Sequence, residues 1–296
     1  MGRALADAYP EARATFDEAE AALPGLTKVI FDGPEDELVL TQNAQPAILT
    51  VSIAAQRVLA KRGLEPAFVA GHSLGEYSAN VTAGTIAFAD AVKVVRRRGQ
   101  YMQEAVPVGA GSMAAILGLD ADAVARACEE AAEGDVVSPA NINGAGQVVI
   151  AGSTAAVQRA GARAKTLGAR RVIPLAVSAP FHCALLKPAE ERLEPDLRAL
   201  HAQRPRIPVV ANVDAEPKRD ASSAIDALVR QVSAPVRWEQ VVRRLASEGV
   251  SNYVEVGPGT VLSGLIKKID RNATVFNFAQ PEDLAALEEG LARWKS

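Results

Sequence analysis

Cysteine and histidine are scarce, with two and three residues respectively in a chain of 296. Cys128 and Cys183 are too few for a disulfide framework and lack a C-x-x-C spacing, so they support neither a metal site nor a redox centre; both are expected to be reduced thiols. No uninterrupted apolar run approaches the ~20 residues of a membrane span, and the N-terminus lacks the charged-then-apolar layout of a secretion signal. A cytoplasmic protein without membrane contact is therefore expected. An excess of charge of one sign is also missing. The net charge of −3 argues against a general nucleic-acid binder and leaves room for a local basic patch that receives an acidic partner protein. Internal repeats and low-complexity segments are absent. Apolar side chains, in contrast, are plentiful at 49%, enough for a substantial core in one large domain or two unequal ones.

The stretch from Ala67 to Ala79, AFVAGHSLGEYSA, carries the most specific signal. Ala67–Ala70 has the length and character of a buried parallel strand, and Glu76–Ala79 opens a helix, with Gly71-His72-Ser73-Leu74-Gly75 turning between them. This is the G-x-S-x-G nucleophile elbow, in which glycines permit a tight turn and the serine hydroxyl is pushed up at the sheet's edge. Ser73 at a helix N-terminus would have free backbone N–H groups beside it, with Leu74 N–H the first oxyanion donor. An ordinary βα turn is the bland alternative.

On either side, strands alternate with helices, which implies a short parallel sheet covered on both faces. Helices are expected over Met1–Leu23, with Pro10 at a first turn, over Gln45–Arg62, closed by Gly63, and over Ala89–Ala105. Residues 111–176 read as strand, helix, two strands, helix, strand, the split βαβ or ferredoxin-like order, with Asn143-Gly144 as the turn between the middle strands. Gly109-Ala110-Gly111 and Ser178-Ala179-Pro180 are candidate hinges. The expected organisation is an α/β-hydrolase-like catalytic domain from residues 1–110 and 177–296 with residues 111–176 inserted. In the C-terminal part, strands are expected at Pro208–Val213, Asn252–Val256 and Thr274–Phe278. Helices are expected over Cys183–Ala202, Ala224–Val232, Trp238–Glu248, Thr260–Ile269 and Pro281–Trp294. Gly257-Pro258-Gly259 has neither the Lys-Ser/Thr of a P-loop nor the G-x-G-x-x-G spacing, so it reads as a structural turn.

An activated serine needs a base. His72 adjoins Ser73 on a strand, where successive side chains point oppositely, so it is poorly placed for proton transfer and better suited to packing or bonding beneath the elbow. His201 follows a charged helix and reads as solvated. His182 lies in a loop at the domain junction, where a cleft is expected, and is the base by elimination, with a structural histidine the alternative. Cys183 adjoins it, but adjacent residues point apart and one elbow serine suffices. On the helix Ala89–Ala105, the apolar stripe Ala91, Val95, Met102 carries Arg98 inward while Arg96 and Arg97 fall off it; a solvated basic face with Arg98 snorkelling remains the alternative.

GHSLGEYSA, RGQYMQEAVP at Arg98–Pro107, APFHCALLKPA at Ala179–Ala189, NVD at Asn212–Asp214 and VEVGPGTVLSGL at Val254–Leu265 occur in an order that closely resembles the malonyl-CoA:acyl carrier protein transacylases of type II fatty-acid synthesis. The resemblance covers essentially the whole chain. It implies that family's fold, an α/β-hydrolase-like domain with a ferredoxin-like insertion, and a Ser73–His182 dyad whose histidine is oriented by a main-chain carbonyl, at Gln231. It implies that Arg98 grips the malonyl carboxylate, with Met102 and Phe181 also binding substrate. Phe181-His182 looks like the Phe-His variant of malonyl-selective acyltransferases. Malonyl-CoA is then a substrate, acyl carrier protein the partner, no cofactor or metal is needed, and the enzyme is expected to be a monomer supplying fatty-acid or polyketide extension. A serine esterase or thioesterase using the same Ser-His site is the alternative activity, and a non-catalytic carrier-binding module a more distant one. Family members begin with a β-strand and a Gly-Gln-Gly-Ser-Gln loop before a helix opening Met-Gly. This chain opens at that Met-Gly, and an upstream segment encoding such a strand is expected.

Overall fold

The computed structural model of the protein describes residues 1–177 and 179–294. Ser178, the first residue of the expected exit hinge, lies outside the described residues. The N-terminal part is helical: α1 Arg3–Ala8, α2 Pro10–Ala22, α3 Leu26–Asp32, α4 Glu35–Leu38 and α5 Thr41–Lys61. Pro10 occupies the start of α2, where its missing N–H costs nothing. Sequence reading missed α3 and α4, which are short and, in α4, bury no residue. Helix α5 begins four residues before the expected start and contains Pro46. Proline cannot donate to the carbonyl four residues back, which is Gln42, and Arg96 Nη1 supplies the missing donor at 3.2 Å.

The elbow strand is short, β1 Val69–Ala70, and is followed by α6 Leu74–Thr82 and α7 Phe88–Glu104. Then come β2 Gly111–Leu117, α8 Ala121–Ala131, β3 Val137–Gly144, β4 Gln147–Ser153, α9 Thr154–Thr166 and β5 Arg171–Pro174. These strands form an antiparallel sheet in the order β3-β4-β2-β5, the ferredoxin-like arrangement. Alternation along β2 separates its two faces: Ala114 and Ile116 pack with α8 and α9, whereas Met113 and Ala115 pack with Phe181, Cys183 and Leu185. The second face of this sheet thus supports the segment that carries His182. The turn between β3 and β4 differs from expectation. Strand β3 runs through Gly144, which pairs with Gln147, and the turn residues are Ala145 and Gly146, both at positive φ, as a two-residue hairpin loop requires. Asn143 is thereby left in the strand, with its side chain available to His72. The outer edge of β3 is tied to the rest of the chain, with Ile142 N donating to Val236 O (2.8 Å) and Val236 N to Ala140 O (2.9 Å).

A single helical turn, Ala184–Leu186, leads into α10 Lys187–Arg198, followed by β6 Val209–Val210, β7 Pro217–Lys218, α11 Ala221–Gln231 and α12 Trp238–Ser247. The chain continues through β8 Asn252–Val256, α13 Val261–Ile269, β9 Thr274–Phe278 and α14 Asp283–Trp294. Parallel pairing occurs as expected but in two separate places, β1 with β6 and β8 with β9, and β7 adds an antiparallel strand to the first pair. No described strand joins the two. The main core is built between α2, α5, α7 and α10, with Phe16, Leu49, Ile53, Val95 and Leu193 among its buried members. The Gly257-Pro258-Gly259 turn is structural, as read: the Glu255 carboxylate already accepts the Leu262 and Ser263 N–H groups of α13 (3.1 and 2.8 Å), so a side-chain anion fills that helix N-terminus.

Candidate active site

The elbow is tight because Gly71 has no side chain. A Cβ there would lie 2.1 Å from the Gly75 carbonyl carbon. Ser73 adopts φ 50, ψ −105, a sparsely populated conformation for a residue with a Cβ, and it persists because the surroundings over-determine it. Asn212 Oδ1 accepts the Ser73 N–H (2.8 Å), Asn212 Nδ2 donates to Gly71 O (2.8 Å), and Gln231 Nε2 donates to Ser73 O (2.9 Å). The Leu74 N–H, first of α6, has no acceptor among the described residues, which is the condition an oxyanion donor must meet.

His182 is the histidine that meets the serine. Its Nε2 lies 2.8 Å from Ser73 Oγ, and its Nδ1 lies 2.9 Å from the Gln231 carbonyl oxygen. A carbonyl can only accept, so the proton resides on Nδ1 and the Nε2 lone pair faces the serine hydroxyl. Burial, and then the neighbouring Arg98 cation, push the His182 pKa down to about 3; the imidazole is held neutral and ready to accept. His72 bonds elsewhere, Nε2 to Asn143 Oδ1 at 3.0 Å, with its ring against Trp238, and exposed His201 lies beyond the end of α10. Cys183 is buried with its thiol pushed up to about 11 by burial, and its Sγ–H donates to Pro180 O.

Arg98 is 2% exposed. Its Nη2 donates to Ser73 Oγ (3.0 Å) and to Gln231 Oε1 (3.0 Å), its Nη1 to Gln45 Oε1 (2.6 Å), and its Nε has no partner among the described residues. The guanidinium also lies over the Tyr77 ring, 5.3 Å from the centroid. All three acceptors are neutral, so this buried cation beside the serine has no carboxylate in contact among the described residues, an arrangement that strongly favours an incoming anion. Met102 is buried in the core and meets the site at Gln45, whose Nε2 lies 3.8 Å from its sulfur. Phe181 is half-buried where the main core meets the four-stranded sheet.

Sequence reading assigned no site role to Gln45, Glu76 or Asn212. Glu76, 1% exposed, accepts at Oε2 from Asn212 N (2.9 Å) and Gln231 Nε2 (2.7 Å), and its pKa is pushed up to about 7, chiefly by burial. Its signal was its place three residues after the elbow serine, one helical turn on and facing inward. Asn212 stood inside the quoted NVD segment with nothing to mark its side chain. Gln45 stood at an expected helix start.

The acyl transferase domain family matches residues 1–280. The chain belongs to that family. Within the acyl transferases its similarity is to those that move malonyl groups: it is 51% identical over 287 residues to the malonyl CoA-acyl carrier protein transacylase of Escherichia coli (strain K12), spanning 96% of this chain and 93% of the relative. The crystal structure of an acyl carrier protein S-malonyltransferase from Vibrio cholerae superimposes with a TM-score of 0.95 at 47% identity, covering 97% of this chain and 94% of that one. A malonyl-transacylase in complex with its type II PKS acyl-carrier protein gives a TM-score of 0.95 at 46% identity, covering 98% of this chain and 94% of that one. In this acyl transferase chain the α/β fold with a ferredoxin-like sheet is the expected one, and no helix of the described residues is long and apolar enough to cross a membrane.

Proposed function

We propose that this acyl transferase moves the malonyl group of malonyl-CoA to the phosphopantetheine thiol of acyl carrier protein, through an ester on Ser73. In the first half-reaction the Ser73 hydroxyl gives its proton to His182 Nε2 while Oγ attacks the thioester carbonyl carbon. The oxyanion is met by the Leu74 N–H. The C–S bond breaks, the sulfur takes the proton from His182, CoA leaves as a thiol, and malonyl-Ser73 remains. In the second half-reaction His182 takes the proton of the carrier thiol, the thiolate attacks the ester, and Ser73 recovers its proton as the new thioester departs. The Gln231 carbonyl, accepting from His182 Nδ1, does the orienting that a carboxylate does in other serine enzymes.

Arg98 carries this reading: buried, pointing at Ser73 Oγ, and bonded only to neutral acceptors. A guanidinium can bind a carboxylate in two parallel hydrogen bonds and so separate malonyl from acetyl, which shape alone would do poorly. The same neighbour depresses His182. When the malonyl carboxylate neutralises Arg98, that cause is withdrawn and His182 becomes a stronger base, so a carboxylated substrate raises the basicity of the group that activates the nucleophile. Phe181 serves as an apolar wall to the acyl chain. Met102 backs Gln45, and through it Arg98. Residues 111–176 act as an inserted unit on a catalytic domain of residues 1–110 and 177–296, and the enzyme works in the cytoplasm with no cofactor.

The test is intact-mass analysis after incubation with malonyl-CoA. A single malonyl adduct is expected on the wild-type chain and none on Ser73→Ala; the same adduct on the variant would remove Ser73 from the mechanism. Transfer of the adduct to a pantetheine thiol in preference to water separates this reading from a thioesterase.

A further inference from the structure

We propose that Glu76, acting through the side-chain amide of Gln231, sets the charge that Arg98 presents to the substrate carboxylate and so sets the preference for a carboxylated acyl group. This presupposes malonyl transfer through Ser73. The linkage is a continuous one: Arg98 Nη2 donates to Gln231 Oε1 (3.0 Å), and Gln231 Nε2 donates to Glu76 Oε2 (2.7 Å). The Gln231 amide cannot turn round. Its Nε2 is also committed to Ser73 O (2.9 Å), and a flip would set an NH2 group against the guanidinium. Glu76 is thus the carboxyl group that faces the buried cation, at one amide's remove.

That distance matters for function. A carboxylate in direct contact with Arg98 would force malonyl to break an ion pair on entry, with the desolvation such a pair entails. One amide away, Glu76 compensates the cation yet leaves its donors to neutral acceptors and its Nε to none. Protonating Glu76 changes the charge but not the hydrogen bonds, because Oε2 can accept from Asn212 N and Gln231 Nε2 in either state. Among the described residues Asp214 also faces Glu76, from the turn after β6, and is itself held by Lys218 and Arg230. The adjacent Tyr77, with a pKa pushed up to about 12, and His182 are both neutral near pH 7. Glu76 is therefore the member of this cluster whose charge changes in that range, its pKa raised to about 7 by burial. The sign follows: above that value Glu76 is anionic and weakens the pull of Arg98 on a carboxylate, and below it the pull is at its strongest.

The experiment measures kcat/KM for malonyl-CoA and for acetyl-CoA with one thiol acceptor, from about pH 5.5 to about pH 8.5, on wild type and Glu76→Gln. The malonyl-to-acetyl ratio cancels the titrations that both substrates share, those of Ser73–His182 and of the CoA phosphates. In wild type the ratio is expected to fall roughly tenfold as pH rises through the Glu76 transition, the scale of removing one unit charge's influence at this range. In Glu76→Gln the ratio should stay flat at its acid-side value. A wild-type ratio that does not vary with pH overturns the proposal without recourse to any variant, and so does a Glu76→Gln ratio that titrates as wild type does. Failure to prefer malonyl at any pH would instead overturn the malonyl-transfer reading itself, and this proposal with it.

Discussion

In the proposed mechanism Arg98 selects the substrate, and its position follows from its place on α7: three residues after Val95 and four before Met102, it shares their buried stripe while Arg97 reaches Asp196 at the surface. Truncating it should cost malonyl transfer at least about tenfold, because charge-assisted hydrogen bonds contribute ~1.5–3 kcal/mol, and should change acetyl transfer far less. Parallel kinetics with both substrates check this; an equal loss for both would make Arg98 structural only. Arg96→Ala is the informative control, since Arg96 serves the carbonyl freed by Pro46. That variant should lower the melting temperature without altering the ratio. The inward arginine could be read from spacing alone, but its partners Gln45 and Gln231 could not: each is an uncharged residue 53 or 133 positions away, and no local rule connects them.

At the scale of the element, the elbow separates two glycines that the motif treats alike. A Cβ on Gly71 meets the Gly75 backbone at 2.1 Å, whereas a Cβ on Gly75 has nothing within 4 Å. Gly71→Ala is therefore expected to unfold or strongly destabilise the turn, since a backbone contact of that kind cannot be relieved by side-chain movement. Gly75→Ala should fold with a melting temperature equal to or slightly above that of wild type, because it exchanges glycine for a better helix former inside α6. Thermal melts of the two variants check the contrast, and equal destabilisation by both would contradict it. The elbow was legible because strand, turn and helix signals are contiguous. The β3–β4 turn was misjudged by two residues for the opposite reason: Asn-Gly is the stronger local turn signal, yet register with β4 carries β3 through Gly144 and assigns the turn to Ala145 and Gly146.

At the scale of the whole molecule, the buried site makes stability depend on pH in two opposing ways. His182 is depressed to about 3 from its ordinary 6.5, so the unfolded chain binds the proton first; its contribution is complete above pH 6.5 and is lost as pH falls towards 3. Glu76 is raised to about 7 from 4.5, so the folded chain keeps the proton; its contribution is complete below pH 4.5 and is lost as pH rises through 7. Between those limits the two largely offset. Glu76→Gln should accordingly gain stability relative to wild type on going from about pH 5 to about pH 8, measured by urea unfolding at each pH. A difference that stays constant between the two would show that Glu76 does not titrate in the folded protein.

Most of the order of elements, the elbow turn, the inward face of Arg98 and, by the scarcity of histidine, the imidazole that meets Ser73 were legible along the chain. Each depends on spacing along one segment or on how few residues of a type exist, and such information is local. How the site is held together depends on contacts between segments far apart in the chain. Glu76, Asn212 and Gln231 come from α6, the turn after β6 and the end of α11, and they converge on Ser73. The second face of the four-stranded sheet supports the His182 segment with residues as distant along the chain as Met113, Ala115 and Val149. Buried polar groups must find partners wherever the fold brings them. Which amide meets which carboxyl is therefore a consequence of packing and has no signature along the chain.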